Sequence, residues 1–260
     1  MKKTLWTRDF IRITCATGLG AAGGILSGFA LSFLVFDETG STLASALVLA
    51  IQLIPNVILP VFIAPLMDRL PRKPFLVGGD VVNGLLYGAA GLLLRRFAFS
   101  YGGYLCFSLV LACLSAFDEL AYGSFYPQVI PKGMEEKGYT VSSMLYPVLK
   151  VAMTPAAAFL YDKLGVADLL LIQAGLSFLA AFIESRIRVR ETRRQDAPLF
   201  SLRTWWNDLR EAATYLRQEP GLRSLFDYMA VTNGVAMGAS PLLVAFFRTA
   251  PTLPCPLPQT

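Results

Sequence analysis

Long apolar segments alternate with short polar ones along this chain. Seven segments of roughly 20 residues or more carry few charges, and about 20 apolar residues in a helix cross the hydrocarbon core of a bilayer. The pattern therefore predicts an all-α membrane protein with seven spanning helices. They cover Ile13 to Phe36, Leu43 to Met67, Phe75 to Leu94, Tyr101 to Tyr126, Val141 to Tyr161, Leu169 to Ile187 and Leu225 to Phe247.

A basic stretch separates the sixth apolar segment from the seventh. It places Leu202, Trp205, Trp206 and Leu209 at helical spacing, flanked by arginines. This pattern predicts an amphipathic helix on the cytoplasmic membrane surface, or a solvated linker helix packed on the bundle. The predicted organisation is a six-helix transmembrane domain over residues 1–187, a basic cytoplasmic linker over 188–224, a seventh helix over 225–248 and a proline-rich tail over 249–260.

Charge sets the expected orientation. The chain has 23 Lys and Arg and a net charge of +5, and most of the basic residues fall in alternate loops, which the positive-inside rule assigns to the cytoplasm. We therefore expect a multi-pass protein of the plasma (inner) membrane with a cytoplasmic N-terminus. Arg95 and Arg96 oppose this assignment, because they end the third helix on the predicted outside. Basic residues confined to loops give no patch for nucleic acid.

The chain lacks the residues that several classes of chemistry require. The chain has no histidine and 4 cysteines without a Cys-x-x-Cys pair, so neither histidine catalysis nor a metal or redox site is indicated. No nucleophile elbow or phosphate-binding loop occurs. We therefore expect no enzymatic activity, no metal and no cofactor.

The loop between the second and third spans carries the most specific motif. Ala64 to Lys73 reads small-x-x-x-Asp-Arg-x-x-Arg-Lys, which resembles the loop between helices 2 and 3 of the major facilitator superfamily. Ala64 and Pro71 replace two glycines of that pattern. The resemblance implies a six-helix transmembrane bundle of two inverted three-helix repeats, here with a seventh spanning helix. It also implies a cytoplasmic gating loop formed by Asp68, Arg69, Arg72 and Lys73. Residues 158–164 echo residues 64–70, as an inverted repeat predicts.

The resemblance also implies a function. The turn at 37–41, Asp80 in helix 3 and the segment 209–223 are similar to the macrolide-efflux-like branch of this superfamily. We therefore expect a secondary active transporter that exports small amphiphilic compounds by alternating access, with a small-molecule substrate and a coupling proton. Because five further helices would normally follow, we expect an incomplete form whose natural partner is a C-terminal half. The alternative is a non-transporting membrane fragment or assembly subunit.

Two charged groups inside the predicted spans are candidate functional residues. Asp80 is expensive to bury unless it is paired, and an ion pair with Arg72 or Lys73 is favoured over a proton site. Lys150 lies near the middle of helix 5, where it is predicted either to face a cavity or to pair with Asp118.

Other polar and small residues give weaker signals. Asp118 and Glu119 are adjacent, so they point about 100° apart and only one can face a given cavity. Gln52 and Asn56 share one face of helix 2, where they either line a cavity or form interhelical hydrogen bonds. Gly20, Gly24 and Gly28 recur every four residues and predict a close helix contact. Glu184 is expected at the membrane interface.

Overall fold

The computed structural model describes residues 4–39, 42–67, 71–97, 99–189 and 202–249. These residues are almost entirely helical and contain no β-strand. The chain divides into two compact units, Met1–Leu199 and Phe200–Thr260. The predicted all-α class is confirmed.

The described residues of the first unit form six helices joined by short connections. Five of the six apolar segments predicted in this region lie within one helix each, and the sixth, Leu169 to Ile187, extends two residues past the end of its helix. The helices are α1 (Arg8–Thr39), α2 (Thr42–Met67), α3 (Arg72–Arg96), α4 (Tyr101–Val129), α5 (Glu135–Leu164) and α6 (Val166–Ser185).

The second unit contains the two remaining helices, α7 (Leu202–Gln218) and α8 (Pro220–Thr249). α7 is strongly amphipathic, as predicted. Trp206 is exposed and Trp205 is half-buried. Pro220 begins α8, a position where proline is well tolerated because the first helical N–H groups have no partner within the helix. α8 contains the predicted seventh span.

Five of the described helices are long and apolar enough to cross a membrane: α1, α3, α4, α5 and α6. α2 is 26 residues long, and its described side chains include the shorter apolar segment Ile54–Ala64. Helices of this kind are those of a multi-pass membrane protein.

Local sequence explains where several helices begin and end. Pro71 directly precedes α3 in an extended conformation, as expected for a residue that is disfavoured inside a helix. Gly165 alone separates α5 from α6 and has φ 78°. That left-handed conformation suits glycine and commonly ends a helix.

α6 packs against both α1 and α3, and the remaining main contacts join α2 to α4, α1 to α5 and α3 to α4. α1 and α6 run in opposite directions: the start of α1 meets the end of α6, where Arg12 donates a 2.7 Å hydrogen bond to the Arg186 carbonyl. α3 and α4 are also antiparallel: Arg72 donates to the Ser124 carbonyl at 3.0 Å, and the rings of Tyr87 and Phe107 lie 5.6 Å apart. One end of the bundle therefore holds the starts of α1 and α3 together with the ends of α4 and α6. This end is called the near end, and the opposite end the far end.

The far end of the bundle, where α3 finishes and α6 begins, carries an ion pair between Arg95 and Asp168. Both side chains are partly exposed. Asp168 thus pairs with one of the two arginines that oppose the predicted orientation, and the orientation stays a prediction.

Glycines allow the close approach of α3 and α6. Within α1, the glycine that packs against α6 differs from those that the sequence predicted. A Cβ on Gly91 would lie 2.9 Å from the Ala167 carbonyl oxygen. Gly20, Gly24 and Gly28 contact nothing within 4 Å of such a Cβ, so the predicted close helix contact does not form there. Gly23, one position away, packs against Gln173 instead. Four-residue spacing defines a helix face, but it does not determine which face has a neighbour.

Candidate functional site

Three carboxyl groups lie close together between α3, α4 and α6, in the half of the bundle that includes the near end. They are Asp80, Asp118 and Glu184, here called the acidic cluster. Asp80 and Asp118 interact electrostatically, and both interact with Glu184. Sequence analysis predicted separate roles for Asp80 and Asp118, whereas the fold brings them together.

The packing of α3 on α4 fixes the position of Asp118. The amide nitrogen of Asn83 donates to a carboxylate oxygen of Asp118 at 3.4 Å. The carboxylate lies directly against Gly79, where a methyl group would overlap it. Asp118 is half-buried. Its place therefore depends on a glycine and an amide of the neighbouring helix.

Glu184 is the most buried member of the cluster, with 6% of its surface exposed. Its Oε2 atom has no hydrogen-bond partner among the described residues. The sequence analysis did not predict this burial, and the position of Glu184 at the membrane interface stays a prediction. A signal was available in the sequence: Gln173, Ser177 and Glu184 recur at helical spacing between alanines. These polar and small residues form the buried face of α6.

Arg72 and Lys73 lie at the near end of the bundle, beside the helix ends. Lys73 donates to the carbonyls of Ser185 and Ile187 at 2.8 Å and 2.7 Å. The predicted ion pair with Asp80 does not form among the described residues. Eight residues of helical rise, about 12 Å, separate Arg72 from Asp80 along α3, and the two basic side chains reach across to α4 and α6 instead. Asp68 and Arg69 lie outside the described residues.

Among the described residues, Lys150 and Asp118 do not form the predicted ion pair. Lys150 is exposed on α5, and its Nζ lies 6.0 Å from the centroid of the Tyr146 ring, a cation–π contact at the limit of the usual range. The pair with Asp118, one of the two predicted roles, is therefore not observed. The exposed position leaves the cavity role as a prediction.

The remaining predicted site residues lie apart from the acidic cluster. Glu119 and Asn56 are exposed, and Gln52 is half-buried. Because Glu119 follows Asp118 directly but points elsewhere, only one of the adjacent acids joins the cluster, as the helical geometry requires.

Tyrosine hydroxyls that the sequence analysis did not single out connect α4 to its neighbours. The hydroxyl groups of Tyr122 and Ser142 lie 3.1 Å apart, and the buried Tyr126 hydroxyl donates to the Gly138 carbonyl at 2.7 Å. Tyr122 also interacts with Thr17 of α1. These bonds hold α5 beside the α4 segment that follows Asp118.

The acidic cluster can bind positive charge. Burying ionised carboxylates in an apolar bundle is costly unless a proton or cationic group compensates them. The described residues contain no group of three His, Cys, Asp or Glu side chains arranged to hold a metal ion. Carboxyl groups in such surroundings can bind a proton or attract a cationic group. Comparison with known protein families, curated protein sequences and solved structures finds no match for this chain.

Proposed function

We propose that this chain acts in secondary active transport as a member of the major facilitator superfamily, exporting small amphiphilic compounds by alternating access. The observation that carries the proposal is the acidic cluster inside a bundle of apolar helices. Intramembrane carboxylates are costly, and they usually mark a substrate, ion or proton pathway.

The pattern of helix contacts supports a bundle of two inverted three-helix repeats. Exchanging α1 with α4, α2 with α5 and α3 with α6 converts the α1–α6 contact into the α3–α4 contact. The same exchange converts the α2–α4 contact into the α1–α5 contact and leaves the α3–α6 contact unchanged. The main contacts therefore follow the pairing expected of inverted repeats, whereas the smaller α1–α2 and α5–α6 contacts have no counterpart of similar size among the described residues.

In alternating access, such a bundle works against a second bundle across a central cavity. The exposed ammonium of Lys150 on α5 suits a residue that faces this cavity. There it would attract an anionic group of the substrate or influence a coupled proton. Lys150→Ala should then impair transport while leaving thermal stability unchanged.

The proposal can be tested in inverted membrane vesicles that contain the full chain. Energising the vesicles should drive uptake of a fluorescent amphiphilic cation such as ethidium, and empty-vector vesicles give the baseline. Asp118→Asn should abolish this uptake. Glu119→Gln is the matched control, because it neutralises an adjacent but exposed acid, and it should retain activity.

Two results would contradict the proposal. Uptake equal to that of empty-vector vesicles would instead favour a non-transporting membrane or assembly subunit. Equal loss of uptake in the Asp118 and Glu119 variants would show that transport does not depend specifically on the acidic cluster.

A further inference from the structure

An apolar cavity lies at the far end of the bundle, on the opposite half from the acidic cluster. Its volume is about 380 Å³, within the range of small-molecule sites. α3 lines it along one stripe that includes Leu86 and Ala90 and continues to Phe97 just after the helix, and α4 contributes Phe107. Leu31 of α1 and Leu170 of α6 complete the walls. The cavity therefore follows α3 for about three turns, or about 16 Å.

The few polar groups in the cavity wall already have partners. The Ser100 hydroxyl caps α4 by accepting from the Gly103 N–H at 3.5 Å, and the Tyr104 hydroxyl is bonded to Ser108. All other lining side chains are hydrocarbon or phenyl groups, apart from a glycine. Such a wall favours a hydrocarbon chain and offers little to a polar ligand.

Two arginines at the end of α3 adjoin the cavity-lining residues Leu94 and Phe97 along the chain. Arg96, the last residue of α3, is exposed and directly precedes the lining residue Phe97. The neighbouring Arg95 is already paired with Asp168. α4 begins beside the cavity at Tyr101, and the partial positive charge of its N-terminus adds to that of Arg96. Arginines at the end of a spanning helix mark the level of the lipid headgroups.

We propose that this cavity binds an anionic amphiphile, whose hydrocarbon chain fills the apolar stripe along α3 and whose head lies at Arg96. The apolar depth and the adjoining arginines match the two parts of such a molecule. A phospholipid of the bilayer and a free fatty acid share this chemistry. The site lies apart from the acidic cluster, and the proposal does not depend on transport.

Native mass spectrometry of the full chain, purified in a non-ionic detergent, tests this site. Phosphatidylglycerol, phosphatidylcholine with the same acyl chains, and oleate are added separately. We expect phosphatidylglycerol to be retained about fivefold more than phosphatidylcholine, since one arginine near the headgroups contributes about 1 kcal/mol. Retention of oleate alone would assign the free acid, and retention of phosphatidylglycerol alone would assign the bilayer lipid.

Two pairs of variants separate this cavity from unspecific lipid binding. Ala90→Phe fills the cavity and should reduce retention, whereas Val82→Phe adds the same ring to an exposed position of α3 and should not. Arg96→Gln should reduce phosphatidylglycerol to the level of phosphatidylcholine. Lys163→Gln removes an exposed charge at the same end of the bundle and should leave the preference intact. Equal retention of the two phospholipids by the unmodified chain together with no retention of oleate, or unchanged retention of the bound amphiphile in Ala90→Phe, would overturn the proposal.

Discussion

The Asp118 carboxylate of α4 lies against the backbone of Gly79 on α3, with no room for a methyl group between them. The same carboxylate accepts a hydrogen bond from Asn83, one turn further along α3. α3 therefore positions an acid that belongs to another helix. A change in α3 alone should alter the acidic cluster without removing any of its carboxyl groups.

Gly79→Ala should displace Asp118 and weaken its bond to Asn83. We expect the free energy of unfolding to fall by about 1–3 kcal/mol, as for other overpacked contacts, and energised ethidium uptake to decrease. Gly78→Ala is the control, because nothing lies within 4 Å of the added carbon. Equal stability and uptake in the two variants would contradict the tight contact at Gly79.

Gly91→Ala should weaken the packing of α3 on α6. The added methyl meets the Ala167 carbonyl oxygen at 2.9 Å and Leu171 at 3.0 Å, and a backbone atom cannot move aside as a side chain can. A loss of about 1–3 kcal/mol is expected in thermal or denaturant unfolding. Gly88→Ala in the same interface meets Ala174 at an ordinary 3.7 Å and should be tolerated. A larger loss for Gly88→Ala would place the closest approach elsewhere.

Glu184→Gln should stabilise the fold by about 1 kcal/mol or more, because it removes a buried carboxyl that interacts unfavourably with Asp80 and Asp118. Oε2 accepts no hydrogen bond among the described residues, so the substitution breaks none there. Glu184→Ala also opens a cavity and should be less stable than the Gln variant. Thermal unfolding of both variants beside the unmodified chain provides the measurement. A Gln variant less stable than the Ala variant would show that the carboxylate has a structural partner.

The predicted orientation can be tested by cysteine labelling in a variant that lacks the native cysteines. Asp162→Cys and Lys137→Cys both place a thiol at an exposed position. A cytoplasmic N-terminus predicts that a membrane-impermeant maleimide added to intact cells modifies the first thiol and spares the second. The reverse result would invert the topology.

The sequence predicted the helices better than the contacts between them. Six of the seven predicted spans lie inside an observed helix and the sixth span runs two residues past the end of α6, because apolar residues in runs of this length are a strong local signal. The helix starts were less predictable: α5 begins at Glu135, six residues before the predicted span. Polar residues at a membrane surface can remain helical, but they leave no trace in a hydrophobicity pattern.

Which faces meet depends on the tertiary pairing, and a single sequence does not reveal that pairing. Gly20, Gly24 and Gly28 have the spacing of a packing motif but face no described neighbour within 4 Å, whereas Gly18 and Gly23, which lie outside that motif, face α5 and α6. The acidic cluster was missed for the same reason. Its members are separated by 38 and 66 positions in the sequence, and only the packing of α3, α4 and α6 brings them together.

The ion pair between Arg95 and Asp168 has a consequence for biosynthesis. The two residues lie 73 positions apart, so at about 5–20 residues per second the ribosome adds Asp168 roughly 4–15 seconds after Arg95. If that end of α3 lies outside, as predicted, two unpaired arginines oppose its export from the cytoplasm during this interval. The partner of Arg95 then becomes available to α3 only after α6 has been synthesised.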